Sequence, residues 1–217
     1  MLWLEDIPVK HEKAIKERLL SNTIQLIAEG GFEKATSKEL TYYGEVSTDF
    51  KMNEVYIYRL FGGKEALFEQ AFLMLEHELY HVLLRCSTEE LAKGGEQMDC
   101  WHRIFKRAWS FILRNEARCR CYVRYYYSIY FKGNSLAAHN RHFDEVIKVF
   151  EPFFREQANV SAIMHSVFCA LLDFAIYSYN GELLDNEENR MHIFNILYNM
   201  LKCYLKDENA RQASIFQ

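Results

Sequence analysis

Residues 53–65, Asn-Glu-Val-Tyr-Ile-Tyr-Arg-Leu-Phe-Gly-Gly-Lys-Glu, put amide, phenol and cationic groups into one short segment that breaks at two glycines. Asparagine carries a donor and an acceptor side by side, the pair that a bidentate contact with an adenine edge needs, and tyrosine hydroxyls suit phosphate oxygens. If the segment is a helix capped by Asn53, then Asn53, Glu54 and Tyr56 point outward near its start. Val55, Ile57 and Phe61 then face a core. Thr36 followed by Glu39 fits a capping box, in which hydroxyl and carboxylate satisfy orphan amides at a helix start.

Other chemistry-bearing groups lie further along. Trp109, Phe111, Tyr122, Tyr125, Tyr126, Tyr127, Tyr130 and Phe131 form an aromatic cluster, which suits either an apolar or cationic ligand or an ordinary core. Arg103, Lys106, Arg107, Arg114, Arg118, Arg120 and Arg124 make 103–124 the most basic stretch, read as a solvated face or as a receiver for an anionic group. Cys119-Arg120-Cys121 sits among those arginines, but residues two apart on a helix diverge, so buried structural thiols are expected. His139 and His142 have ligand spacing and are read as an exposed, unliganded pair; no metal or other cofactor is expected. Glu78-Leu79-Tyr80-His81 is one E-x-x-H, whereas a di-iron bundle needs two with further carboxylates. With no P-loop, G-x-S-x-G or H-E-x-x-H either, an enzyme is not expected.

The elements that must position these groups follow from the apolar pattern. Only 9 glycines and 2 prolines interrupt 217 residues, half of them hydrophobic, so long helices are expected and strands are not. The spacing predicts helices over 10–29, stopped by Gly30-Gly31, over 37–43, closed by Gly44, and over 53–61 and 64–85. More are predicted at about 97–114, 117–131, 136–156, 160–180 and 187–206, with 87–95 the best boundary after the long fourth helix. The most apolar stretch, 160–177, is interrupted by His165 and Asp173 and reads as a buried helix, not a membrane span. No secretory signal stands at the start and the six cysteines lack C-x-x-C pairing, so a cytoplasmic location with reduced thiols is expected. The net charge is −4, and residues 1–70 hold 9 Lys/Arg against 12 Asp/Glu. Phosphate neutralisation would therefore require segregated charge.

Residues 15–72 resemble the tetracycline-repressor-like (TetR/AcrR) regulators. The points of likeness are Leu19–Ile27, then Gly31-Phe32, Thr36-Ser37, and Tyr58-x-x-Phe61-x-x-Lys64-Glu65, which fits the family's Y-x-x-F-x-x-K-E. The resemblance implies an all-α fold: a three-helix helix-turn-helix head at 8–63, then a helical ligand-binding and dimerisation bundle at 64–207. It implies DNA contacts from Thr36, Lys38, Asn53, Glu54, Tyr56, Tyr58, Arg59 and Lys64, with Tyr58 and Lys64 on phosphate. Read without it, Tyr58 is equally a core aromatic. The chain departs from the family in a longer stretch at 45–52, in Leu60, and in polar Asn22 and Thr23 where small apolar residues usually stand.

The resemblance also implies a ligand-responsive regulator, a repressor, that binds palindromic double-stranded DNA as a homodimer and holds a small-molecule effector. Trp109, Tyr122, Tyr126, Tyr130 and Phe168 are the candidate effector contacts. Two wide apolar stripes, with Phe168 and Leu171 on one helix and Phe194, Leu197 and Leu201 on another, are candidates for a two-fold interface or for a monomer's core. The acidic head and long stretch at 45–52 support the alternative of a ligand- or partner-binding module that no longer binds DNA in the standard way.

Overall fold

The computed structural model describes residues 9–43 and 53–206. Among these the chain is all-α, with nine α-helices in the order α1 (Val9–Lys34), α2 (Ser37–Tyr42), α3 (Val55–Phe61), α4 (Lys64–Ala92), α5 (Gln97–Arg114), α6 (Glu116–Tyr126), α7 (Gly133–Phe150), α8 (Val160–Tyr179) and α9 (Glu187–Lys202). The expected loop at 45–52 and the closure at Gly44 lie outside the described residues.

Two compact units are formed. One comprises Met1–Glu76 and Ala117–Leu136, the other His77–Glu116 and Ala137–Gln217. The unit around the N-terminal helices thus takes in more of the chain than 8–63. In that first unit α1 buries Ile15, Leu19, Ile24, Leu26 and Ile27. Its helical geometry breaks at Gly31, whose φ of 76° is costly for any residue with a Cβ. Phe32, just past the break, meets Phe68 and Tyr130 at ring-centre distances of 5.3 and 4.8 Å. Phe72 stacks on Tyr125 at 4.4 Å and Tyr122 at 5.2 Å. These offset stacks draw 117–136 into the same core as α1, although about ninety residues separate them in sequence.

In the second unit α4 runs on to Ala92, past the expected helix end at about Arg85 and into the expected boundary at 87–95. The reason is burial of its last turns. Ser87 and Glu90 are both buried, and Glu90 bonds Lys93 (2.7 Å), Arg103 (3.0 Å) and Arg107 (3.0 Å). Gly94 and Gly95, both at positive φ, end the helix instead. α7 stops at Phe150, where Pro152 enters a short 3₁₀ turn. α8 is long and apolar enough to cross a membrane by length and composition, but it buries Met164, Phe168, Leu171, Leu172 and Ala175 and packs on α5 and α9. The side chains of Asn159 and Asn186 cap α8 and α9, accepting from the amides of Ala162 (3.0 Å) and Asn189 (2.8 Å).

Candidate functional site

The first unit carries a short-helix edge. Thr36 is the N-cap of α2, and its hydroxyl accepts from the Glu39 amide at 3.2 Å. α2 has only six residues, so most of its carbonyls lack helical partners. Buried Asn22 on α1 answers one of them, donating to the Leu40 carbonyl at 2.8 Å. The neighbouring Thr23 hydroxyl donates to Leu19 within α1, at 2.7 Å. The polar pair that departs from the family pattern is therefore satisfied, and Asn22 ties two helices together.

α3 buries Ile57 completely. Asn53 sits just before it, its side-chain oxygen accepting from the Val55 amide at 3.1 Å. Asn53, Glu54, Tyr58 and Arg59 are exposed and Tyr56 is half-buried. Tyr58 is 62 % exposed, which removes the core reading for it. Val55, expected inward, is 56 % exposed. The cause is register: seven residues make barely two turns, so one core position, Ile57, suffices to seat them. Phe61 is half-buried beneath Lys16, whose ammonium lies 5.6 Å from the ring centre. Gly62 then adopts φ 83° and closes α3, with its amide on the Tyr58 carbonyl at 2.9 Å. Lys64 opens α4 with its ammonium 5.7 Å from the Phe68 ring centre. Thr36 and Lys38, at the start of α2, are exposed. Glu33 and Glu39, beside them in sequence, and Glu54, just before α3, are exposed as well, so the exposed positions are of mixed charge.

The second unit holds an apolar cavity of about 100 Å³, walled by residues of α4, α5, α7, α8 and α9 that include Tyr80, Trp101, Ala108, Phe143, Phe168 and Phe194. No Asp, Glu, Lys, Arg or His lines it. Phe168, Leu171, Phe194, Leu197 and Leu201 all contribute to its wall, and each is at most 7 % exposed within the single chain. The five candidate dimer residues are thus turned inward. The apolar surface that α8 and α9 leave outside is Tyr177, Met191 and Ile196.

The candidate effector residues separate. Phe168 lines the cavity. Trp109 is buried elsewhere in that unit and donates to Asp185 at 3.1 Å, just before the cap of α9. Asp185 is held below the usual carboxylate range by Arg190 first, and also by this indole. Tyr122, Tyr126 and Tyr130 belong to the first unit's aromatic core. Composition alone joined these rings into one cluster; the turn between α5 and α6 assigns them to different cores. Residues that the sequence reading missed, Trp101 and Phe150, stack at 4.8 Å on the cavity wall. Their i,i+4 alignment with Phe105 and with Val146 was the available signal.

The basic stretch is partly engaged. Arg103 and Arg107 bond Glu90, whose carboxyl is pulled down to about 2 by Lys93 first and by Arg107 and Arg103, against the opposing effect of burial. Burial pushes the Cys121 thiol up to about 12, so it stays protonated and is unsuited to redox sensing. His139 and His142, expected exposed, are buried and half-buried: His139 stacks on Phe143 at 5.7 Å and His142 on Tyr80 at 6.1 Å.

No family model and no curated protein matches the sequence. Solved structures do match the fold. A TetR-family transcription regulator from Marinobacter aquaeolei VT8 superposes with a TM-score of 0.69 at 12% identity, covering 91% of this chain and 99% of that one. A TetR-like transcriptional regulator from Rhodococcus sp. RHA1 gives 0.63 at 13% identity over 91% and 99%. SmeT, the repressor of the Stenotrophomonas maltophilia multidrug efflux pump SmeDEF, gives 0.62 at 14% identity over 91% and 93%. The chain has the all-α fold of the TetR-family transcription regulators.

Proposed function

We propose, from that fold, that this chain is a transcriptional regulator. It binds double-stranded DNA as a cytoplasmic homodimer and represses until a small molecule enters its second unit. The observation that carries the reading is α3. It buries Ile57 and leaves Val55, Tyr58 and Arg59, with Asn53 and Glu54 just before it, exposed to solvent. It has the form of an element that enters a groove, with Asn53 toward base edges and Tyr58, Arg59, Lys38, Thr36 and Lys64 toward phosphates. In a two-fold dimer the two copies of α3 would lie about 34–36 Å apart, one helical turn of DNA. Tyr177, Met191 and Ile196, the apolar residues left outside on α8 and α9, support a dimer face there.

The cavity supports an effector that is uncharged and apolar. A charged group among these walls would lose its hydration with no partner to replace it. An engineered cavity of roughly 150 Å³ takes up benzene; about 100 Å³ is smaller, so it suits a short alkyl group, and a ring requires wall side chains to move. α4 lines the cavity with Tyr80, Leu83 and Ser87 and also carries Lys64. An effector acting on α4 would change DNA affinity by about 1–3 kcal/mol.

A second reading has one observation behind it. Exposed Glu33, Glu39 and Glu54 make the charge of these positions mixed, which favours a module that binds ligand or partner without DNA. Selection of bound fragments from genomic DNA with the purified protein separates the two. A reproducible palindrome is expected; no enrichment over random fragments sinks the DNA-binding reading.

A further inference from the structure

We infer, resting on the reading of the apolar cavity as the effector site, that it takes an uncharged molecule with one acceptor oxygen, a ketone, ester or ether on a short alkyl chain, and that Trp101 is the residue that recognises this oxygen. Two indoles on one helix differ. Trp101 and Trp109 stand about two turns apart on α5 and are 6 % and 2 % exposed. The Trp109 N–H donates to Asp185 at 3.1 Å. The Trp101 N–H is buried and has no hydrogen-bond partner among the described residues. A buried donor left unanswered is costly, and nearly all such donors in folded proteins are paired.

Packing holds the Trp101 ring in place. It stacks on Phe150 at 4.8 Å, with the ring planes 19° apart, and meets Phe154 edge-on at 6.4 Å. A ring face offers an N–H at most a weak contact in place of an oxygen. Trp101 and Phe150 both belong to the cavity wall. The other polar side chains of that wall, Tyr80, Ser87 and Tyr198, carry hydroxyls that can donate or accept, whereas an indole can only donate. The group that answers it is therefore an acceptor. A carboxylate would be stranded among walls that hold no Lys, Arg or His. A carbonyl or ether oxygen brings the acceptor without the charge, and about 100 Å³ leaves room for a short chain beside it.

The test is titration of the ¹⁵N-labelled full chain with methyl propyl ketone and with the branched alkane of the same outline, in which a methyl group replaces the oxygen. The indole N–H resonances are followed by NMR, and Trp101→Phe identifies the Trp101 signal by its loss. The ketone should bind saturably and move the Trp101 N–H proton downfield, as a new hydrogen bond does. The Trp109 proton, already bonded to Asp185, should stay close to its place. Trp101→Phe should lower the ratio of ketone to alkane affinity by about fivefold. Both probes feel the enlarged cavity alike, so the ratio isolates the N–H; if that variant does not fold, the shift in the parent decides. Probe binding with no movement of the Trp101 proton, or with an unchanged ratio in Trp101→Phe, would overturn the assignment and leave the cavity a binding site. Binding of neither probe would remove the effector reading of the cavity as well.

Discussion

Replacing Asn22 by Ala tests how the short-helix edge is held. The side-chain amide of Asn22 reaches the Leu40 carbonyl at 2.8 Å inside the first unit, where both residues are buried. In Asn22→Ala that carbonyl stays buried and loses this donor, which costs about 1–3 kcal/mol. Truncation of the side chain adds a small packing loss. Thr23→Val is the matched control. Thr23 is also fully buried, yet its hydroxyl bonds back to the Leu19 carbonyl within the same helix, and valine preserves the shape. Its loss should therefore cost under about 1 kcal/mol. The assay is native-state hydrogen exchange on the amides of α2, because a chain of two compact units need not unfold in one step. Asn22→Ala should raise local opening of α2 by roughly 5- to 150-fold and Thr23→Val should leave it near the parent value. Weakened DNA binding should accompany the first change and not the second. Equal protection of α2 in both variants would refute the reasoning, since burial of a polar group, and not the tie between helices, would then be what matters.

Four further outcomes are expected. The stabilising contribution of ionised Glu90, whose pKa is pulled down to about 2 from an ordinary glutamate's 4.5, is fully present above pH 4.5 and is lost as pH falls toward 2. In thermal melts, the gap between the parent and Glu90→Gln should therefore narrow across that window; a constant gap would contradict the ion cluster. Gly62→Ala meets no neighbouring atom but must hold φ 83°, so it should destabilise the α3–α4 corner by about 1 kcal/mol and weaken DNA binding; denaturant melts and gel shifts check both. Ala108→Leu should fill the apolar cavity, raising stability by about 0.5–2 kcal/mol and removing any melting-temperature rise that a small apolar solute gives in the parent. For DNA, Lys64→Ala should lower affinity on all sequences and reduce the salt slope by about one, whereas Asn53→Ala should change the ranking of sites.

Much of the helix plan was legible because its signals are local. Gly31, Gly62 and Gly133 interrupt or bound helices at positive φ, and Thr36 and Asn159 cap the helices they precede. Each of these effects involves residues within four positions of one another, so a single sequence contains both the cause and the partner. The outward edge of α3 was readable for Asn53, Glu54 and Arg59 and misread for Val55, since a seven-residue helix leaves its period ambiguous by one position.

What only the tertiary structure decided depends on partners far along the chain. α4 continues through Ser87 because Arg103 and Arg107 on the next helix neutralise Glu90. Tyr122 and Tyr130 joined Phe32 and Phe72, while Phe168 and Leu201, equally apolar by type, turned inward to wall a cavity. His77 and His142 met across two helices sixty-five residues apart. Apolar spacing specifies that a face will be buried; which face meets it is set by the packing of the whole unit, because burial is non-directional until shapes interlock.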